Sequence, residues 1–150
     1  MWNLTRREFN KLIIYTGIAM LTPHFSEDEC KCRCCGDYEM DHDFMESLER
    51  IRMDMKRPLK LSSAKRCKAY NAKISSTGEH GPHTFGRAVD ILISGADALR
   101  LVDIARKYGM TGIGLKQAGP HNKRFVHLDN LGYDYTKLTG GPRPWIWSYA

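Results

Sequence analysis

The sequence predicts an α+β domain, and three observations predict it. Strand-like apolar runs and amphipathic helical stretches are interspersed along the chain without a regular βαβ alternation, which favours an antiparallel sheet with helices on one side. The chain has 150 residues, enough for one domain that buries a hydrophobic core without disulfide staples. Its composition is globular, 42% hydrophobic and 27% charged, with no internal repeat or low-complexity tract. These values exclude a fibrous or disordered chain.

The elements follow in order. Ser26 to Glu29 predicts one helical turn, because Ser caps and acids suit a helix N-terminus. The cysteine-rich segment ending at Gly36 is a loop. Asp43 to Met55 predicts a helix with Phe44, Leu48, Ile51 and Met55 on one face, Asp43 and Glu46 as a capping box, and Pro58 beyond its end. Leu59 to Ser63 is a strand, and Lys65 to Gly81 a polar loop with room for a short helix. Ala88 to Ile93 is a strong strand. Ser94 and Asp97 signal a second helix cap, followed by the stripe Ala98, Leu101, Val102, Ala105 and Tyr108, with Gly109 at the C-terminal end. Ile113 to Leu115 and Phe125 to Asp129 are short strands joined by a turn at Gly119-Pro120. The tail carries Gly140-Gly141-Pro142 and then Trp145, Trp147 and Tyr149, and packs back on the sheet.

The formal charge is +6, a balance that favours anionic partners such as a cell wall. The basic residues are scattered, with no helix-turn-helix, zinc-finger or RNP-like pattern, so nucleic acid is not the expected partner. Thr5 to Lys11 is basic and precedes an apolar run from Leu12 to Leu21. That run is too short for the ~20 residues of a membrane span, so stable membrane insertion is not expected. Residues 1–21 form either an extension or an export signal of twin-arginine type, with 22–150 as the folded domain. An export signal would send the protein to the cell envelope; without one it is cytoplasmic until lysis, or phage-associated. Five cysteines, Cys30, Cys32, Cys34, Cys35 and Cys67, cannot all pair within the chain. They are read as buried thiols or a bridge from Cys67 to the cluster, with a structural zinc site as the alternative.

The chemistry starts at Asp90, a carboxylate in the apolar run Ala88-Val89-Asp90-Ile91-Leu92-Ile93. Burying it unpaired costs several kcal/mol, so its face of the strand needs a cationic partner or a metal. His83 lies seven residues earlier, with Gly86 between them to allow a close approach of loop and strand. His127 shares a strand face with Phe125 and Asp129. Two imidazoles and a carboxylate form a known catalytic zinc set, with the fourth position left to water. The other reading of such histidines is structural and hydrogen-bonded. There is no His-Glu-x-x-His helix.

The stretch His83-Thr84-Phe85-Gly86-Arg87-Ala88-Val89-Asp90 resembles the His-x-x-Gly-x-Ala-x-Asp signature of the zinc D-Ala-D-Ala carboxypeptidases and related peptidoglycan endopeptidases, which share the hedgehog/DD-peptidase fold. His24 to Glu29, the cysteine cluster, Ser62 to Asn71, Gly112-Ile113-Gly114 and Phe125 to Asp129 are similar to the small, often phage-encoded branch, so the resemblance covers about residues 22–149. It implies that His83, Asp90 and His127 bind Zn2+ on the sheet, that Arg66 steadies the scissile carbonyl oxygen, and that the substrate is a peptidoglycan peptide cut by a monomeric hydrolase. The chain departs from the family at Gly81, where Ser is frequent, at Ala64-Lys65 in place of Gly-Tyr, and at Arg124 and Phe125, where relatives carry an acid or a His. No motif therefore assigns the general base. Asp129 is the favoured acid–base or His127-orienting residue, ahead of Glu79, His80 and His121 in loops. Carboxypeptidase and endopeptidase stay open, as does a catalytically silent zinc-binding, wall-binding or phage structural module.

Overall fold

A computed structural model of the chain describes residues 20–133 and 141–150. The predicted N-terminal segment lies outside the described residues up to position 19. β1 (Met20–Thr22) pairs antiparallel with β2 (Phe25–Ser26). Next come α1 (Glu27–Cys30), α2 (His42–Met55), β3 (Leu61–Ser63), α3 (Lys68–Ile74), β4 (Ala88–Leu92), α4 (Gly95–Lys107), β5 (Gly112–Lys116), β6 (Phe125–Asp129) and β7 (Trp145–Ser148). Short 3-10 turns at Gly78–His80, Pro82–Phe85 and His121–Lys123 join them.

The main sheet has the order β3-β4-β6-β5-β7. It is antiparallel except at its last pair, where β7 runs parallel to β5. The cause is the direction of the return. β6 ends at Asp129, opposite the start of β5 at Gly112, and β7 begins at that same end, with Trp145 against Gly112. The tail thus joins the sheet as a strand, beyond the packing predicted for it.

Period-two alternation decides what each face does. Val89 and Ile91 of β4, Val126 and Leu128 of β6, and Ile113 of β5 are buried with Phe44, Leu48, Ile51 and Met55 of α2 and Leu101 and Ala105 of α4. Each of these side chains larger than alanine contributes roughly 2 kcal/mol by leaving water. Both long helices are therefore held on one face, and Asp90 and His127 are left on the other, directly paired in register.

Three helix starts show how local chemistry sets boundaries. Ser26 caps α1, as its sequence predicts, and Glu29 completes a reciprocal capping box with it. On α2 the cap is Asp41 rather than the predicted Asp43, its side chain accepting from the Phe44 amide at 2.8 Å. The Asp41 amide donates to Gly86 O at 2.9 Å, which fixes extended backbone there and starts the helix one residue early. On α4, Ser94 holds the N-cap position without a side-chain cap bond, and Asp97 pairs with Arg57 instead of capping.

Candidate functional site

His83 sits in the turn Pro82–Phe85, whose exit needs Gly86 at φ 66°. A Cβ at Gly86 would stand 2.5 Å from Glu39 O, so only glycine lets this turn close against the loop before α2 and enter β4. The turn brings His83 over the sheet beside Asp90. The His83 and His127 rings meet edge to face, 5.0 Å between centroids.

One ligand-capable atom from each of His83, Asp90 and His127 lies within 4.8 Å of the others. His83 Nε2 is 3.3 Å and His127 Nδ1 2.9 Å from Asp90 Oδ1. The far ring nitrogens have fixed partners. His83 Nδ1 is 2.6 Å from Ala64 O, a carbonyl that can only accept, so this nitrogen carries the hydrogen. His127 Nε2 is 3.1 Å from Asp129 Oδ2. In the neutral rings both inward nitrogens are then bare lone pairs facing a carboxylate oxygen. Three acceptors aimed at one point repel unless a cation sits among them, so these residues fit a metal ion.

The electrostatics agree. Burial pushes the Asp90 carboxyl up, but the His83 and His127 neighbours outweigh it and hold it well below the usual range. Burial lowers the His83 imidazolium, against the opposing pull of Asp90. For His127, burial works downward too, yet hydrogen bonds to Asp129 and Asp90 raise it to about 9. Without a metal this ring answers the carboxylates by taking a proton.

Asp129 is fully buried at the end of β6. It accepts from His127 Nε2, from Arg143 Nε at 2.9 Å and Nη2 at 2.8 Å, and from the Leu131 amide at 3.1 Å. Burial raises its carboxyl, but His127 and Arg143 override this and bring it down to about 2. Its cross-strand neighbour must be glycine for lack of room: a Cβ at Gly112 would stand 2.1 Å from Asp129 Oδ2. Arg66 is anchored from three sides, donating Nη2 to Asp90 Oδ2 at 2.6 Å, Nε to Ser63 Oγ at 2.7 Å and Nη1 to Asn71 Oδ1 at 3.4 Å.

An open groove of about 660 Å³ runs over the three converging residues. Ser75 to Thr77, after α3, form one wall, and Trp147 and Tyr149 form the other. Arg66, Lys116 and Arg143 make its lining cationic. The Trp147 ring lies 5.1 Å from His127 and under the Arg143 guanidinium at 5.3 Å. Burial and the Asp90 charge push the Tyr149 hydroxyl up to about 12. Gly114 makes room for this wall, since a Cβ there would stand 2.6 Å from Trp147.

Of the sequence candidates, His83, Asp90, His127, Arg66 and Asp129 come together. Glu79, His80 and His121 do not line the groove. Sequence reasoning missed Lys116, Arg143, Trp147 and Tyr149 as groove residues. The period-two aromatics Trp145, Trp147 and Tyr149 were the available signal, since they mark a strand that lays rings on one face.

A groove over two imidazoles and a carboxylate, carried on the open face of a helix-backed sheet, defines the class of candidate metal-dependent hydrolases. The Peptidase M15 family model matches residues 23–129, and the chain belongs to that family, the family of the zinc D-Ala-D-Ala carboxypeptidases. No curated protein matches the chain. Among the described residues, no helix is long and apolar enough to cross a membrane.

Proposed function

We propose that this peptidase is a zinc enzyme that hydrolyses an amide bond in peptidoglycan stem peptides, as a D-Ala-D-Ala carboxypeptidase or an endopeptidase. The observation that carries this reading is the convergence of His83 Nε2, His127 Nδ1 and Asp90 Oδ1, with the outer nitrogens of both imidazoles held by Ala64 O and Asp129. Zinc held there would polarise the scissile carbonyl and make water a nucleophile near neutral pH.

The chain's own groups supply the rest. Arg66 holds Asp90 in place, and its three bonds leave two of its five N–H donors for a substrate oxygen. The Tyr149 hydroxyl keeps its proton at neutral pH and is a donor for the same developing charge. Lys116 suits a carboxylate of a stem peptide, and Trp147 with Tyr149 gives the peptide an aromatic wall. Asp129 orients His127. Its tie to Arg143 and its full burial remove it from proton transfer in this reading.

One observation favours a second reading. Among the described residues, no Asp or Glu side chain other than Asp90 lines the groove, which suits a zinc-binding module of a wall or a phage particle without turnover. Incubation with purified peptidoglycan, with and without a chelator, separates the two. The enzyme reading predicts new fragments that vanish with chelator, as free D-Ala for a carboxypeptidase or cleaved cross-links for an endopeptidase. Unchanged peptidoglycan of every chemotype supports the silent module.

A further inference from the structure

The second concentration of chemistry lies in the cysteine loop. Cys32, Cys35 and Cys67 place their Sγ atoms within 4.8 Å of one another, and all five cysteines are free thiols. Cys32 and Cys35 stand in the spacing Cys-x-x-Cys, followed by Gly36. The segment is a tight turn. The Gly36 amide donates to Cys32 O at 2.9 Å, and Gly36 takes φ 78°, a left-handed backbone that glycine adopts freely. Such a turn aims both thiols of the pair to one side.

Backbone amides surround the sulfurs. The Cys67 amide lies 3.2 Å from Cys32 Sγ, and the amides of Cys34 and Cys35 also donate to it. The Tyr70 amide lies 3.4 Å from Cys67 Sγ. N–H donors stabilise a thiolate over a thiol, and the thiolate is the form that binds metal. Burial works against ionisation of Cys32, but these amides outweigh it and bring it down to about 7. Cys34 is exposed, and its thiol hydrogen-bonds to Cys67. Cys30 stands apart from this group. It is fully buried in the core, and burial with the nearby Glu29 charge pushes its thiol up to about 12.

We propose that Cys32, Cys35 and Cys67 form a structural site for a thiophilic divalent metal, of which zinc is the best match, with the fourth position open to the exposed Cys34 that hydrogen-bonds to Cys67. Three converging sulfurs with a fourth cysteine bonded to one of them suit a closed tetrahedral zinc site, and more than two thiols exceed what one disulfide uses. The thiols release their protons to solvent as the metal binds. Lys73 lies close enough to offset part of the resulting negative charge.

The site has a definite task. It cross-links the turn at 32–36 to the residue after Arg66, across an interval of more than 30 residues. The strand-side segment so fixed carries Ala64, whose carbonyl holds His83, and Arg66, which holds Asp90. Cys32, Cys35 and Cys67 are therefore positioning residues for the groove.

The test is metal analysis of the full chain purified without chelator, beside the Cys32→Ser/Cys35→Ser and His83→Ala variants. Wild type is expected to hold about two zinc ions per chain, and each variant about one. Cobalt-loaded wild type and His83→Ala should both show sulfur-to-cobalt charge-transfer absorption, and the cysteine variant should not. This readout is independent of activity and of the His83 site, and it uses folded wild type should the cysteine variant fail to fold. The proposal is overturned if cobalt-loaded wild type lacks that absorption. It is equally overturned if intact mass shows the loss of two hydrogens that marks a disulfide, or if Cys32, Cys34, Cys35 and Cys67 all react freely with a thiol reagent in metal-loaded protein.

Discussion

Asp129→Asn separates the support of the site from the site itself. Asp129 is fully buried and accepts four hydrogen bonds, one from His127, two from Arg143 and one from the Leu131 amide. Asparagine keeps the shape but has one acceptor oxygen, and its NH2 faces an Arg143 donor in either orientation, together with the Leu131 amide or His127 Nε2. Arg143, only 6% exposed in its side chain, is left without a counter-charge. Stranding one partner of a buried ion pair costs about 3–5 kcal/mol. The carbonyl oxygens of Gly141 and Pro142 still accept from Arg143, which puts the loss near the lower figure. For a chain of this size, about 3 kcal/mol lowers Tm by roughly 6–12 °C. His127 also loses the partner that fixes its tautomer, so zinc affinity should fall about 10–100-fold, or about 1.4–2.7 kcal/mol. Calorimetry of metal-stripped protein and competition against a chromophoric chelator read the two effects separately. A metal-free Tm within about 2 °C of wild type, together with unchanged zinc affinity, would refute the reasoning.

Gly112→Ala tests the same support by volume: its Cβ collides with the Asp129 carboxylate, and a loss of about 1–3 kcal/mol in urea denaturation is expected, against none if the carboxylate simply moves aside. Metal-free stability should depend on pH in a defined way. His127 is raised from 6.5 to about 9 on folding, so its contribution is complete below pH 6.5 and lost as pH rises through 9. Asp129 is lowered from 3.8 to about 2, so its contribution holds above pH 3.8 and is lost as pH falls through 2. Urea midpoints in chelator should therefore fall between about pH 5.5 and about pH 9.5 by more in wild type than in His127→Gln, which keeps the opposing titrations of His83 and Cys32; the same change in both proteins would remove the charged His127 from the account. Arg66→Ala should lower kcat on peptidoglycan about 10²–10³-fold, and Arg66→Lys should not restore it, because one ammonium cannot span Asp90, Ser63 and Asn71 together with substrate. Full activity of the lysine variant would show that charge alone suffices.

Much of this arrangement was legible in the sequence because one face of the sheet is buried. Val89 and Ile91 alternate with Asp90, and Val126 and Leu128 with His127, so a carboxylate and an imidazole had to share the opposite face. Gly86 was legible for the same reason, as a spacer between a ligand-type residue and a strand. The aromatic wall was not. Trp147 and Tyr149 reach the groove only because β7 runs parallel to β5 with Trp147 against Gly114, a register no local pattern encodes. The Arg143–Asp129 pair spans 14 residues and has no spacing signature. The α2 cap shifted from Asp43 to Asp41 because a tertiary hydrogen bond to Gly86 O decides it, and tertiary bonds override local capping preference.

The central claim is that His83, Asp90 and His127 hold zinc, and anomalous diffraction at the zinc edge tests it most directly. Crystals of the chain purified without chelator should give a peak about 2.0–2.2 Å from His83 Nε2, His127 Nδ1 and Asp90 Oδ1 together, and His83→Ala crystals should lack it while keeping any peak at the cysteines. A native crystal with anomalous density at the cysteines and none among His83, Asp90 and His127 would contradict the account.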